Sequence, residues 1–159
     1  MKHFVEFCLG IIIALALYTF LGKIYFSLPQ LINFFTLVVI YFALTKGKIY
    51  AACMGTVSGL IQDSFSLGVF GVSGLAKTIM GYSAGIISQK TNVLPFFRNF
   101  IFIFILICVE IIISLFFYYF IASEYVKDMG FLVFFQPLSN AFFGSFIFMF
   151  LRKIKIFKS

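Results

Sequence analysis

The chain has 159 residues, 63% of them hydrophobic, and 12 Lys and Arg against five Asp and Glu give a net charge of +7. Only 11% are charged, where an average soluble domain has about a quarter, and the mean hydropathy is +1.14. So few charges do not cover a soluble fold that contains 26 phenylalanines, and disorder needs low hydrophobicity, which leaves an integral membrane protein.

A helical span takes about 20 apolar residues. Six such stretches follow one another, so the chain reads as a single all-α transmembrane domain over residues 1–159. The first is 4–21, after Met1-Lys2-His3. Ala14-Leu15-Ala16 mimics a signal cleavage site, but the apolar run continues past it, so we expect an uncleaved helix. The second is 28–44, with Pro29 in its first turn, where a missing N–H costs least. The third (49–67) and fourth (69–87) are less apolar. Seven of the twelve glycines lie between Gly55 and Gly85, together with Asp63 and Lys77. The fifth is 95–121 and the sixth 131–151, with Pro137 in its second turn.

Basic residues set the orientation. Lys2, Lys46, Lys48, Lys90, Arg98, Arg152, Lys153, Lys155 and Lys158 fall on one side, and only Lys23 and Lys127 on the other. This bias predicts an even number of spans with both termini cytoplasmic. Tyr25, Tyr50 and Tyr125 fall at predicted interfaces, where an amphipathic ring is favoured. The basic tail would attract anionic lipid but reads first as a topological anchor. The same reading of the basic residues removes nucleic acid as a partner.

Two patterns stand out within the spans. Ala51, Gly55 and Gly59 recur every four residues, and Gly81 and Gly85 repeat the spacing in span four after Lys77. Residues so spaced share one helix face, and small faces let helices approach closely in lipid. The stripe therefore predicts packing of spans three and four on each other or on a partner's helix. The second pattern is charge within spans. At about 1.5 Å per residue, Lys77 lies about 12 Å and Glu110 about 16 Å below the same membrane edge. An intramembrane ion pair between them is the expectation, with snorkelling of Lys77 or protonation of Glu110 as alternatives.

Asp63 sits where span three meets the short turn to span four. There it can accept from Ser64, Ser66 or the first amides of span four, or contact a ligand or partner. Catalytic patterns are absent. The single histidine is His3, Gly55-Thr-Val-Ser-Gly59 and Gly71-Val-Ser-Gly74 do not fit a nucleophile elbow, and no metal-ligand spacing occurs. Cys8, Cys53 and Cys108 are scattered through apolar runs and read as small hydrophobes. We expect a non-enzymatic protein without a cofactor or metal.

The segment Gly59-Leu-Ile-Gln-Asp63-Ser-Phe-Ser-Leu-Gly68-Val-Phe-Gly71, followed by Gly81-Tyr82-Ser-Ala-Gly85, resembles the bacterial rod shape-determining MreD family. That family has a G-L-x-x-D turn, a glycine and then a helix ending in G-Y-x-x-G. These fall here on Gly59, Leu60, Asp63, Gly71, Gly81, Tyr82 and Gly85, and Gly68 lies in the same turn. Pro29, the Pro137–Asn140 pair, the size and the short basic tail agree with it. Lys77 and Glu110 are no part of the resemblance. It implies a multi-pass scaffold in the bacterial inner membrane, part of the cell-elongation machinery. Such a scaffold binds MreC and, through the complex, MreB filaments and the peptidoglycan synthases RodA and penicillin-binding protein 2. It also implies a bundle similar to the substrate-binding component of energy-coupling-factor transporters. The alternative is therefore a small-molecule-binding component of a transporter, with Asp63, Ser64, Ser66, Lys77 and Glu110 as the polar groups of a pocket.

Overall fold

A computed structural model describes residues 2–24, 31–65, 69–91, 95–122 and 130–153. Pro29, Gly68, Ser66, Tyr25, Tyr125, Lys127, Lys155 and Lys158, all named above, lie outside them. Among the described residues the fold is all-helical, with six helices: α1 (Lys2–Ile24), α2 (Phe34–Thr45), α3 (Lys48–Phe65), α4 (Val72–Lys90), α5 (Phe96–Ala122) and α6 (Gly130–Lys153). Stretches of α1, α5 and α6 are long and apolar enough to cross a membrane: Val5–Lys23, Phe96–Ile121 and Val133–Leu151. They mark a membrane protein. Their outer faces suit hydrocarbon, with Phe97 and Phe134 each 79% exposed and Phe120 75% exposed.

The helix in the second stretch starts later than the apolar run does. Leu31 is helical, Ile32 bends, and Asn33 is extended (φ −87°, ψ 90°). The Asn33 side chain accepts from the Thr36 amide and caps α2 at Phe34 instead of residue 28. Twelve residues make a helix of about 18 Å, short of the roughly 30 Å of a hydrocarbon core. This helix is nevertheless the centre of the bundle. Phe35, Thr36, Leu37, Val39, Ile40, Phe42 and Ala43 are all buried, and α1, α3, α4 and α6 pack around it.

The other helices run within a few residues of the apolar stretches. The fourth begins at Val72, not 69, because Gly71 is left-handed (φ 97°) and only the turn bond from Val72 N–H to the Val69 carbonyl (3.4 Å) precedes it. Pro137 lies inside α6 as its eighth residue. The α2–α3 turn is tight. Gly47 is left-handed (φ 89°), so a side chain there would be strained and would also have to push aside the Gln89 amide. Lys46 of that turn pairs with Glu6 of α1 at 2.5 Å, placing the start of α1 beside the end of α2. The core is formed by Leu37, Val39, Ile40 and Phe42 of α2, Ala51 and Met54 of α3, Met80 and Ala84 of α4, Phe102, Ile103, Leu106 and Ile107 of α5, and Ala141 and Phe148 of α6.

Candidate functional site

The glycine stripe closes the α3–α4 hairpin on itself. A Cβ on Gly55 would strike the Lys77 carbonyl, and one on Gly59 would strike the Gly74 backbone. A Cβ on Gly81 would lie 2.7 Å from the Ala51 carbonyl oxygen, and one on Gly85 would meet the Lys48 backbone. Ala51, Gly55, Gly59, Gly81 and Gly85 are thus the contact line of two helices of the same chain, all of them buried. Of the two roles the spacing allowed, these residues serve internal packing, and their faces are not open to a partner helix. Backbone against backbone is the closest approach two helices make, and it needs a residue without a side chain on at least one side of each contact.

Asp63 ends this hairpin. Its carboxylate accepts from the Gly71 amide at 2.8 Å, the Ser73 amide at 3.1 Å and the Gly74 amide at 3.3 Å. Gly71 precedes α4 and has no side chain to cap it, so Asp63 supplies the cap from eight residues upstream. A buried carboxylate on three amides at a helix N-terminus is favoured by hydrogen bonding and by the helix dipole. Of the partners the sequence offered, Asp63 takes the amides of α4. The Ser64 hydroxyl turns back to the Leu60 carbonyl (2.9 Å). Above Gly71, where a Cβ would stand, there is open space.

Lys77 and Glu110 meet in the interior. Lys77 is fully buried and Glu110 is 5% exposed, and the ammonium pairs with Oε1 of the carboxylate. Lys77 lies near the start of α4 and Glu110 in the middle of α5. Both reach a third group that the sequence did not single out. Thr36 Oγ1 lies 2.9 Å from Lys77 Nζ and 2.9 Å from Glu110 Oε2. The hydroxyl accepts from the ammonium and donates to the carboxylate, so the triad closes three helices around one polar point.

A second polar knot lies at the break before α2. The Asn140 Oδ1 of α6 accepts from the Asn33 amide at 2.9 Å, and Asn140 Nδ2 donates to the Leu31 carbonyl at 3.1 Å and to the Gln136 carbonyl at 2.8 Å. The backbone groups released where the helix is interrupted are therefore satisfied by one side chain of α6. Irregular backbone at membrane depth is tolerated only with such partners.

The polar groups that a transporter pocket would need are thus engaged inside the protein: Asp63 with α4, and Lys77 with Glu110. Among the described residues an open groove of about 360 Å³ lies on the flank of the hairpin. Its lining includes Thr56 and Leu60 of α3, Gly71 in the turn, Leu75 and Thr78 of α4, and Ile121 of α5. Its two hydroxyls, Thr56 and Thr78, lie 2.8 Å apart, each within reach of a carbonyl of its own helix, so that one donates to the other while the second donates to its own helix. Gly68, expected in the same turn, lies outside the described residues. Among the described residues no group of three or more His, Cys, Asp or Glu side chains comes together to hold a metal ion. No protein-family model, curated protein or solved structure matches this chain.

Proposed function

We propose that this chain is a non-enzymatic scaffold of the bacterial cell-elongation complex, of the MreD type. In this reading it is a six-span protein of the inner membrane with both termini cytoplasmic. The observation that carries it is the hairpin. Gly59, Asp63, Gly71, Gly81 and Gly85, on which the resemblance rests, all lie in one unit, as helix-contact, cap and turn residues. The motif and the local fold account for one another, which a chance run of glycines would not do. The Glu6–Lys46 pair supports the orientation, because it joins two sites that the basic-residue rule puts on the cytoplasmic side.

The partner is MreC, and through it MreB, RodA and penicillin-binding protein 2. Since the glycine faces are closed, the surface we assign to the MreC transmembrane helix is the apolar groove of Thr56, Leu60, Leu75, Thr78 and Ile121. A hydrocarbon-facing groove with internally satisfied hydroxyls suits a helix held by van der Waals packing. The test is affinity purification from the native membrane in mild detergent, with mass spectrometry of the co-eluting proteins. Recovery of MreC supports the scaffold. Recovery of transporter ATPase and coupling subunits instead overturns it in favour of a small-molecule-binding transporter component.

A further inference from the structure

The net positive charge of the chain falls on the side that the basic-residue rule makes cytoplasmic, and the scaffold reading leaves that side without a role. By the sequence assignment nine basic residues fall on that side against one carboxylate, Glu6, while Lys23 and Lys127 are assigned to the other side together with Asp63, Glu124 and Asp128. Glu6 is engaged by Lys46. Among the described residues, Lys48, Lys90 and Arg98 form no ion pair at this end.

The fold brings these three to neighbouring helix ends. The Lys48 backbone rests directly on α4 at Gly85, and Lys90 is the last residue of α4, about 7.5 Å further along its axis. Arg98 is in the first turn of α5, which packs on α4, eight residues after Lys90. Lys90 and Arg98 are exposed, and the Lys48 ammonium lies 5.9 Å from the Tyr82 ring centre. Exposed apolar side chains adjoin the cations, Ile49 and Tyr50 after Lys48, and Phe96 and Phe97 before Arg98. A cation at a helix end with bare apolar surface just along the helix matches a phospholipid, phosphate at the level of the helix end and acyl chains beside the flank. An acidic protein would match the cations but not the aromatic flank.

We infer that Lys48, Lys90 and Arg98 form a binding face for anionic phospholipid headgroups, which holds a lipid shell enriched in negative charge at the basic end of the bundle. This inference stands apart from the scaffold reading.

The test uses the full chain in phosphatidylcholine vesicles with trace spin-labelled phosphatidylglycerol or spin-labelled phosphatidylcholine, and reads the motionally restricted fraction by electron paramagnetic resonance. Phosphatidylglycerol should be preferred by about threefold or more in low salt, and the preference should fall toward one in 0.5 M NaCl. The combined K48A, K90A and R98A variant should lose most of the preference, while K48R, K90R and K23A keep it. Six basic residues against two remain in the triple variant, so its orientation is retained. A preference that survives in the triple variant overturns the assignment. So does its absence from the unaltered protein, the result expected if an acidic protein occupies this face. The salt series on the unaltered protein decides the matter even where the triple variant inserts poorly.

Discussion

Lys77 of α4 and Glu110 of α5 form an ion pair in the interior, and the hydroxyl of Thr36 from α2 touches both partners. A pair buried this deeply adds little net stability against an apolar pair, but removing one partner leaves a bare charge. K77A or E110A should therefore cost about 3–5 kcal/mol, read as lost resistance to unfolding in detergent. The swap K77E with E110K should recover a large part of that loss, and K77M with E110L should come near the unaltered protein. A swap no better than either single variant would remove the pairing from the stability of the fold.

The α3–α4 contact predicts an unusual sensitivity to the smallest substitution. A Cβ on Gly59 meets the Gly74 backbone, which, unlike a flexible side chain, has no way to yield. G59A should already separate the helices and cost about 1–3 kcal/mol, with G59L costing more. Membrane abundance and a disulfide cross-link between cysteines placed on α3 and α4 read the effect. G71A tests the turn differently. It meets open space but a left-handed backbone, so its cost should be about 1–2 kcal/mol and arise from strain alone.

Asp63 ties the hairpin through three amides. D63A leaves those donors without their carboxylate and should cost about 2–3 kcal/mol, while D63N keeps an acceptor and should cost about half as much. Amide hydrogen exchange at Gly71, Ser73 and Gly74 should accelerate in both variants, more in D63A. Unchanged exchange there would mean that the cap does not hold the turn.

Much of this architecture is legible in the chain. Six apolar runs give six helices, because length and hydropathy constrain a membrane helix more strongly than propensity does. The four-residue repeat of small residues marks the α3–α4 contact, and estimated depth alone places Lys77 and Glu110 at one level. What the sequence hides is pairing across distance. Asn33 inside an apolar run gives no sign that the helix breaks there, since its partner Asn140 is 107 residues away. Thr36 looks like a tolerated hydroxyl in an apolar helix until α4 and α5 bring it two charges. Glu6, near the start of the first run, gains its partner Lys46 across the α1–α2 contact. The glycine faces show the limit from the other side: spacing identifies a contact surface, but whether a partner or the same chain fills it is a tertiary fact.

The break before α2 follows from the same reasoning. Asn140 satisfies the Leu31 carbonyl and the Asn33 amide together. N140L keeps the volume but leaves the buried Asn33 amide unpaired, at about 1–3 kcal/mol, and the part-buried Leu31 carbonyl without its donor. N140D keeps the acceptor for Asn33 and loses the donor to Leu31, so it should fall between the two. Thermal unfolding in detergent orders the three proteins. An N140L variant as stable as the unaltered chain would show that the break is held by other contacts.

The groove gives the prediction most specific to function. Thr56 and Thr78 face each other across it at 2.8 Å, and each hydroxyl is also within reach of a carbonyl of its own helix. The Thr78 backbone lies against Gly55, but its half-buried side chain meets Thr56 at the groove, so enlarging it fills the groove from its wall and leaves Asp63 and the Lys77 triad in place. T78F should therefore insert and accumulate normally, with loss of stability below about 1 kcal/mol for a substitution away from the core. Co-purification of MreC with T78F should nevertheless fall by about tenfold, whereas T78V, which removes only the hydroxyl, should change it little. Retention of MreC by T78F at full membrane abundance would move the partner surface elsewhere on the bundle. Loss of the protein itself would show instead that the groove is part of the fold, and T56F on the opposite wall would then distinguish packing from docking.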